Sequence, residues 1–132
     1  MTDEQIALAR RAVACRGWKW LPGMLALEWA APGMSLTSGR PFRVDDGWHE
    51  VGVYAPDLTD PATLGCLVTL VRELYHAPWK LWDGHIEVRR DHQTLFFAMQ
   101  FSHTPEGFLE EVHVASGQTE TEAWVAALEA AP

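Results

Sequence analysis

Hydrophobic spacing switches between helical and alternating along the chain, and the switches mark the predicted elements. Thr2 stands three residues before Gln5, the spacing of a reciprocal helix cap, and Ile6, Ala9, Arg10 and Val13 follow at helical intervals. A helix over 2–15 is expected, followed by Gly17 in left-handed backbone. Trp18 and Trp20 alternate around Lys19 as in a short strand with one buried face, which Pro22-Gly23 breaks. Residues 24–30 suit a strand, and 31–41, with two Pro and two Gly, suit a loop. Residues 41–44 and 48–54 have the pattern of a hairpin around Asp45-Asp46-Gly47. In its second arm His49, Val51 and Val53 share one face, and Trp48, Glu50, Gly52 and Tyr54 the other.

The strongest helical signal lies in the middle. Asp60 is a capping residue followed by Pro61 at the first helical position, and Leu64, Leu67, Val68, Val71, Leu74 and Tyr75 form a continuous apolar stripe. The helix ends before Pro78. Residues 79–90, 94–103 and 108–115 then read as an antiparallel meander of three strands, the last turn being Thr104-Pro105-Glu106-Gly107. Placing His103 opposite Phe108 sets Phe101 against Glu110, Met99 against Val112 and Phe97 against Val114. Leu95, Phe97, Met99 and Phe101 then form the buried face. Thr119 and Glu122 cap a helix reaching to about 131, with Ala123, Trp124, Ala127 and Leu128 inward. Leu67, Val71, Phe97, Met99 and Val112 are the expected core. The element order gives an α+β fold: one domain over 1–132, a sandwich of mostly antiparallel sheet with an N-terminal helix, a central helix at 60–76 and a C-terminal helix at 119–131.

Composition narrows the partner. Of 132 residues, 48% are apolar and 21% charged, as in soluble globular domains, and the chain is long enough for a core without staples. The net charge is −8, which repels nucleic-acid phosphates and anionic membranes. Residues 104–132 hold six Glu and no Lys or Arg, and 45–60 hold Asp45, Asp46, Glu50, Asp57 and Asp60 with no base. Positive charge gathers at Arg10, Arg11, Arg16 and Lys19. Cys15 and Cys66 fall among apolar neighbours and read as buried free thiols of a reducing compartment. The first residues are too polar for a signal peptide, and no apolar run reaches transmembrane length.

Catalytic and ligand motifs are sparse. The six histidines make no HxH or HxxxH pair, so no metal, cofactor or catalytic residue is assigned. His92 and Thr94, with Leu95, match one half of a two-histidine phosphoesterase signature, but a second half is missing. Seven tryptophans are many for this length, and the surplus are candidate interface anchors. Trp48, beside Asp45 and Asp46 and opposite in facing to Val51 and Val53, is the favoured one. Glu106, Glu110, Glu111, Glu120 and Glu122 are read as one acidic face on the last hairpin and helix. With Trp48, Asp45, Asp46 and Glu50 they form the expected partner-binding set.

Three stretches carry a resemblance: Ala9–Cys15 running into Gly17–Met24, Pro56–Leu67, and Thr119–Ala123 leading to Ala126–Ala131. Together they resemble small phage and prophage proteins with an α–β–α sandwich domain, over roughly a third of the chain and through structural caps and stripes alone. The resemblance implies a phage or prophage origin and action in the cytoplasm of a bacterial host, and brings no catalytic residue. The expected function is that of a small acidic, non-enzymatic protein that binds and inhibits a host or phage protein with a basic surface. An anti-defence, anti-CRISPR-like inhibitor of a nuclease complex is its most concrete form. Direct nucleic-acid or membrane binding is not expected. The alternatives are a self-associating assembly or regulatory accessory, as a homodimer, and a phosphoesterase using His92 and Thr94.

Overall fold

A computed structural model describes residues 2–28, 41–46, 54–76, 85–91, 95–104 and 106–131. Among them the order is α1 (Asp3–Ala14), β1 (Leu25–Glu28), β2 (Phe42–Arg43), β3 (Tyr54–Pro56), α2 (Pro61–Tyr75), β4 (His85–Arg90), β5 (Phe96–His103), β6 (Leu109–Gly117) and α3 (Glu120–Glu129). Two three-stranded antiparallel sheets, β2-β1-β3 and β4-β5-β6, combine with the three helices in an α+β fold. None of these helices is long and apolar enough to cross a membrane.

The helix starts follow their caps. Gln5 N–H donates to Thr2 Oγ1 at 3.2 Å and Thr2 N–H donates to Gln5 Oε1 at 2.8 Å, closing the reciprocal cap of α1. Asp60 accepts from Thr63 N–H at 2.9 Å, with Pro61 opening α2. Thr119 accepts from Glu122 N–H at 3.1 Å, but the Glu122 carboxylate turns to Gln118 N–H at 3.0 Å, so the second half of that cap shifts by one residue. Leu67 and Val71 are fully buried, as the α2 stripe requires, and Ala123, Trp124, Ala127 and Leu128 are buried on α3.

Helix α2 serves two cores. Leu67, Val71 and Tyr75 join Ala9, Ala12, Ile86, Ala98, Trp124 and Leu128 in the larger cluster. Leu70 joins Met24, Ala26 and Val44 in the smaller one. The two are tied to the start of α2 by polar contacts. Arg43 of β2 grips both oxygens of Asp60, at 2.6 and 2.8 Å, while the Thr63 hydroxyl donates to Asp60 at 2.9 Å and accepts from Leu25 N–H at 2.8 Å.

Local patterns mislead at several points. Residues 18–20 have no strand structure: Trp18 N–H bonds Cys15 O at 3.1 Å, and the two indoles meet edge to face at 5.5 Å against the smaller core. Gly17 is not left-handed; its role is close approach, since a Cβ there would lie 2.5 Å from Leu74 Cδ1. The left-handed glycine is Gly23 at φ 97°, which donates to Val44 O as β2 begins its pairing with β1. β2 and β3 do not pair with each other, because β1 lies between them, pairing Ala26 with Phe42 on one side and with Pro56 on the other, while Gly47 and residues 48–53, the turn and second arm of the expected hairpin, lie outside the described residues. A central strand satisfies hydrogen bonds along both of its edges, and Pro56, lacking an N–H, is tolerated on the edge. Cys15 and Cys66 are half-buried rather than core, with burial raising both thiol pKa values.

The second sheet is a meander, as expected, but its register is moved by one residue. Thr104 N–H donates to Phe108 O at 2.8 Å and Gly107, at φ 90°, donates to Thr104 O at 2.8 Å. The turn thus closes over three residues with glycine in left-handed backbone, a common three-residue hairpin loop. His103 faces Leu109, Phe101 faces Glu111 and Met99 faces His113; Val114 is then bulged, so Ala98 faces Ala115 and Phe97 faces Ser116. The face packed on the helices is the other one, although Phe101, one of the four residues expected inward, is buried at 3% exposure. Ile86, Val88, Ala98 and Ala115 pack on the helices, because their small or branched side chains let α3 lie close to the sheet. Phe97 and Met99 are half-exposed on the opposite face, Leu95 is 42% exposed and Val112 51% exposed, so these residues leave the expected core.

Candidate functional site

The candidate site is the β5–β6 arm, which grows out of that register. Helix α3 covers one end of β6: a Cβ on Gly117 would lie 2.7 Å from the Ala123 backbone nitrogen, and Val114 and Ala115 are half-buried against the larger core. Residues 106–113 run beyond this cover and are all exposed. Phe108 is 71% exposed, Leu109 56% and Val112 51%, three large apolar side chains within five residues at the tip of a hairpin. Single exposed apolar residues are ordinary, but three so close in sequence, left open on both faces of one strand end, mark a candidate interaction surface.

Acids flank these residues in the sequence. Glu106, Glu110 and Glu111 are exposed, and the segment from 104 to 132 contains no Lys or Arg to neutralise them. Strand alternation puts Leu109, Glu111 and His113 on the face carrying Met99 and Phe97, and Glu110 and Val112 on the other. Each face of the arm therefore offers one aliphatic residue beside one carboxylate. On the first face a shallow cavity of about 330 Å³ is lined by Leu95, Phe97, Met99, His113, Asp91 and Ser116. Its carboxylate, Asp91, accepts from Leu95 N–H at 2.9 Å, and the Phe97 and His113 rings lie 6.3 Å apart.

The structure divides the acids that composition grouped together. Glu120 and Glu122 sit at the start of α3, at the far end of β6 from Glu110 and Glu111, roughly 20 Å away at about 3.3 Å per strand residue. Glu122 is occupied by Gln118 N–H and by Arg11 at 3.9 Å, and Glu129 is also held by Arg11. Asp45 and Asp46 are exposed beside β2, on the other sheet. Asp60 is held by Arg43, whose guanidinium keeps the carboxyl well below the usual carboxylate range. Trp48, Glu50, His92 and Thr94 lie outside the described residues, as do Trp29, Trp79 and Trp82. Trp124 is core and Trp18 is half-buried against both clusters.

Phe108, Leu109 and Val112 are the surface residues that composition passed over. Their signal is nonetheless in the sequence. Phe108-Leu109-Glu110-Glu111-Val112 sets two apolar residues side by side and then two acids, and a strand with one buried face cannot hide both members of either pair. No family model, curated protein or solved structure matches the chain.

Proposed function

We propose that this chain is a non-enzymatic binding protein that docks through the β5–β6 arm on a protein with a basic, partly apolar surface and blocks it. One observation carries the reading: Phe108, Leu109 and Val112 are 71%, 56% and 51% exposed within a segment whose charged residues are all acidic. Desolvated apolar anchors supply most holding energy in protein interfaces, while complementary charge speeds encounter and orients it. The most concrete target is a bacterial nuclease complex, whose basic groove ordinarily meets nucleic acid. The resemblance to small phage proteins and the net charge of −8 support that choice.

The test begins with capture from a lysate of a defence-carrying host, with wild type beside a Glu110→Lys/Glu111→Lys variant, followed by kinetics on the purified partner. Charge reversal slows association and flattens its salt dependence, whereas Leu109→Ala mainly hastens dissociation. Nuclease activity falls in proportion to complex formed. A charge-reversed arm that binds the same partner at an unchanged rate in low salt overturns the reading.

A further inference from the structure

The backbone of the arm makes a separate demand on the partner. Among the described residues β6 is an edge of its sheet. Thr104 N–H donates to Phe108 O, and Phe108 N–H donates to Thr104 Oγ1 at 3.1 Å, so the Phe108 backbone faces β5. Facing alternates along an antiparallel ladder, which directs the N–H and C=O of Leu109, Glu111 and His113 away from β5. Open edges are usually blunted by Lys, Pro or a bulge. Here the bulge at Val114 comes only after the exposed stretch.

Building on the docking reading above, we propose that the partner adds an extended strand to the outer edge of β6 along Leu109–His113, with the side-chain order apolar, basic, basic, apolar. Backbone pairing needs an open ladder, which the edge offers. The order follows from the side chains that cross-strand neighbours would meet: Leu109 and Val112 each ask for an apolar residue, and Glu110 and Glu111 for Lys or Arg. A second copy of this chain is the poorer occupant. Antiparallel self-pairing centred on Glu110 or Glu111 sets that carboxylate opposite its own copy, and like charges directly opposed destabilise a sheet.

The probe is a labelled, end-blocked hexapeptide, Thr-Val-Lys-Lys-Val-Thr, followed by fluorescence anisotropy. Its controls are Lys-Val-Thr-Thr-Val-Lys, of equal composition and charge, and the first peptide with N-methylated backbone. The expected result is binding at least about tenfold tighter than either control. On binding, amide hydrogen exchange slows at Leu109, Glu111 and His113, and stays as it was at Glu110 and Val112, already bonded to β5. Glu111→Pro removes an outward N–H and abolishes binding, whereas Glu111→Gln keeps it and weakens binding less. The methylated peptide poses the same question with the protein unaltered, should the proline variant misfold. Equal affinity for the three peptides, or unchanged exchange at Leu109 and Glu111, overturns strand addition. If the peptides fail while capture of a whole partner still drops on Glu110→Lys/Glu111→Lys, docking stands and strand addition falls; unaffected capture overturns docking itself.

Discussion

Replacing Asp60 by Ala removes several contacts at one point of the fold. The carboxylate caps α2 through Thr63 N–H, accepts from the buried Thr63 hydroxyl and pairs with both donors of Arg43 on β2. Loss of the cap costs about 1 kcal/mol. Loss of the acceptor for the fully buried Thr63 hydroxyl costs about another 1 kcal/mol, because that group has left water. Arg43 is well exposed, so its ion pair is left out of the sum. The expected destabilisation is ~2 kcal/mol in urea unfolding. At about 2.1 cal/mol/K for each of the 132 residues, this lowers Tm by ~7 °C. Asp60→Asn separates cap from charge, since Asn also caps well. The pH dependence has a definite sign. Arg43 lowers the folded-state pKa of Asp60, so its ionic contribution is complete above the unfolded carboxylate value and is lost as pH falls below it. The stability gap between wild type and Asp60→Asn is therefore flat near neutrality and shrinks below pH ~4. An Asp60→Ala cost under ~0.5 kcal/mol, or a gap that widens on acidification, refutes the reasoning.

Three further expectations use the same unfolding assay. Leu67→Ala, at a fully buried position, costs ~2–5 kcal/mol, and Phe97→Ala, on the half-exposed face, costs clearly less; equal losses would return Phe97 to the core. Gly117→Ala drives a Cβ to 2.7 Å from the Ala123 backbone and costs ~1–3 kcal/mol, with loss of α3 signal in amide exchange at lower denaturant. Tyr75→Phe removes the hydroxyl donated to Ala127 O at 2.8 Å and costs ~1 kcal/mol, leaving the main-chain acceptor without that bond in the α2–α3 packing.

Helix starts and the α2 stripe were legible because their causes are local. Thr2, Asp60 and Thr119 each bond a backbone N–H three residues away, and Leu67 and Val71 follow from a period that any helix imposes. The meander was legible for the same reason: Gly107 and its neighbours close a short turn. Period two also showed that Phe97, Met99 and Phe101 share a face, but a period does not say which face is covered. That was decided by α3, which approaches through Ala98, Ala115 and Gly117 and leaves Phe97 and Met99 half-exposed on the far side, where Phe101 is nonetheless buried. The placement of β1 between β2 and β3 is likewise a tertiary choice, since turn chemistry at residues 45–47 registers only its own flanks. Charge counting found Glu106, Glu110 and Glu111, yet it merged them with Glu120 and Glu122, which the length of β6 holds apart. The apolar tip emerged only with the register: whether Phe108, Leu109 and Val112 meet water depends on where α3 stops covering β6, a distance in space that no spacing along the chain encodes.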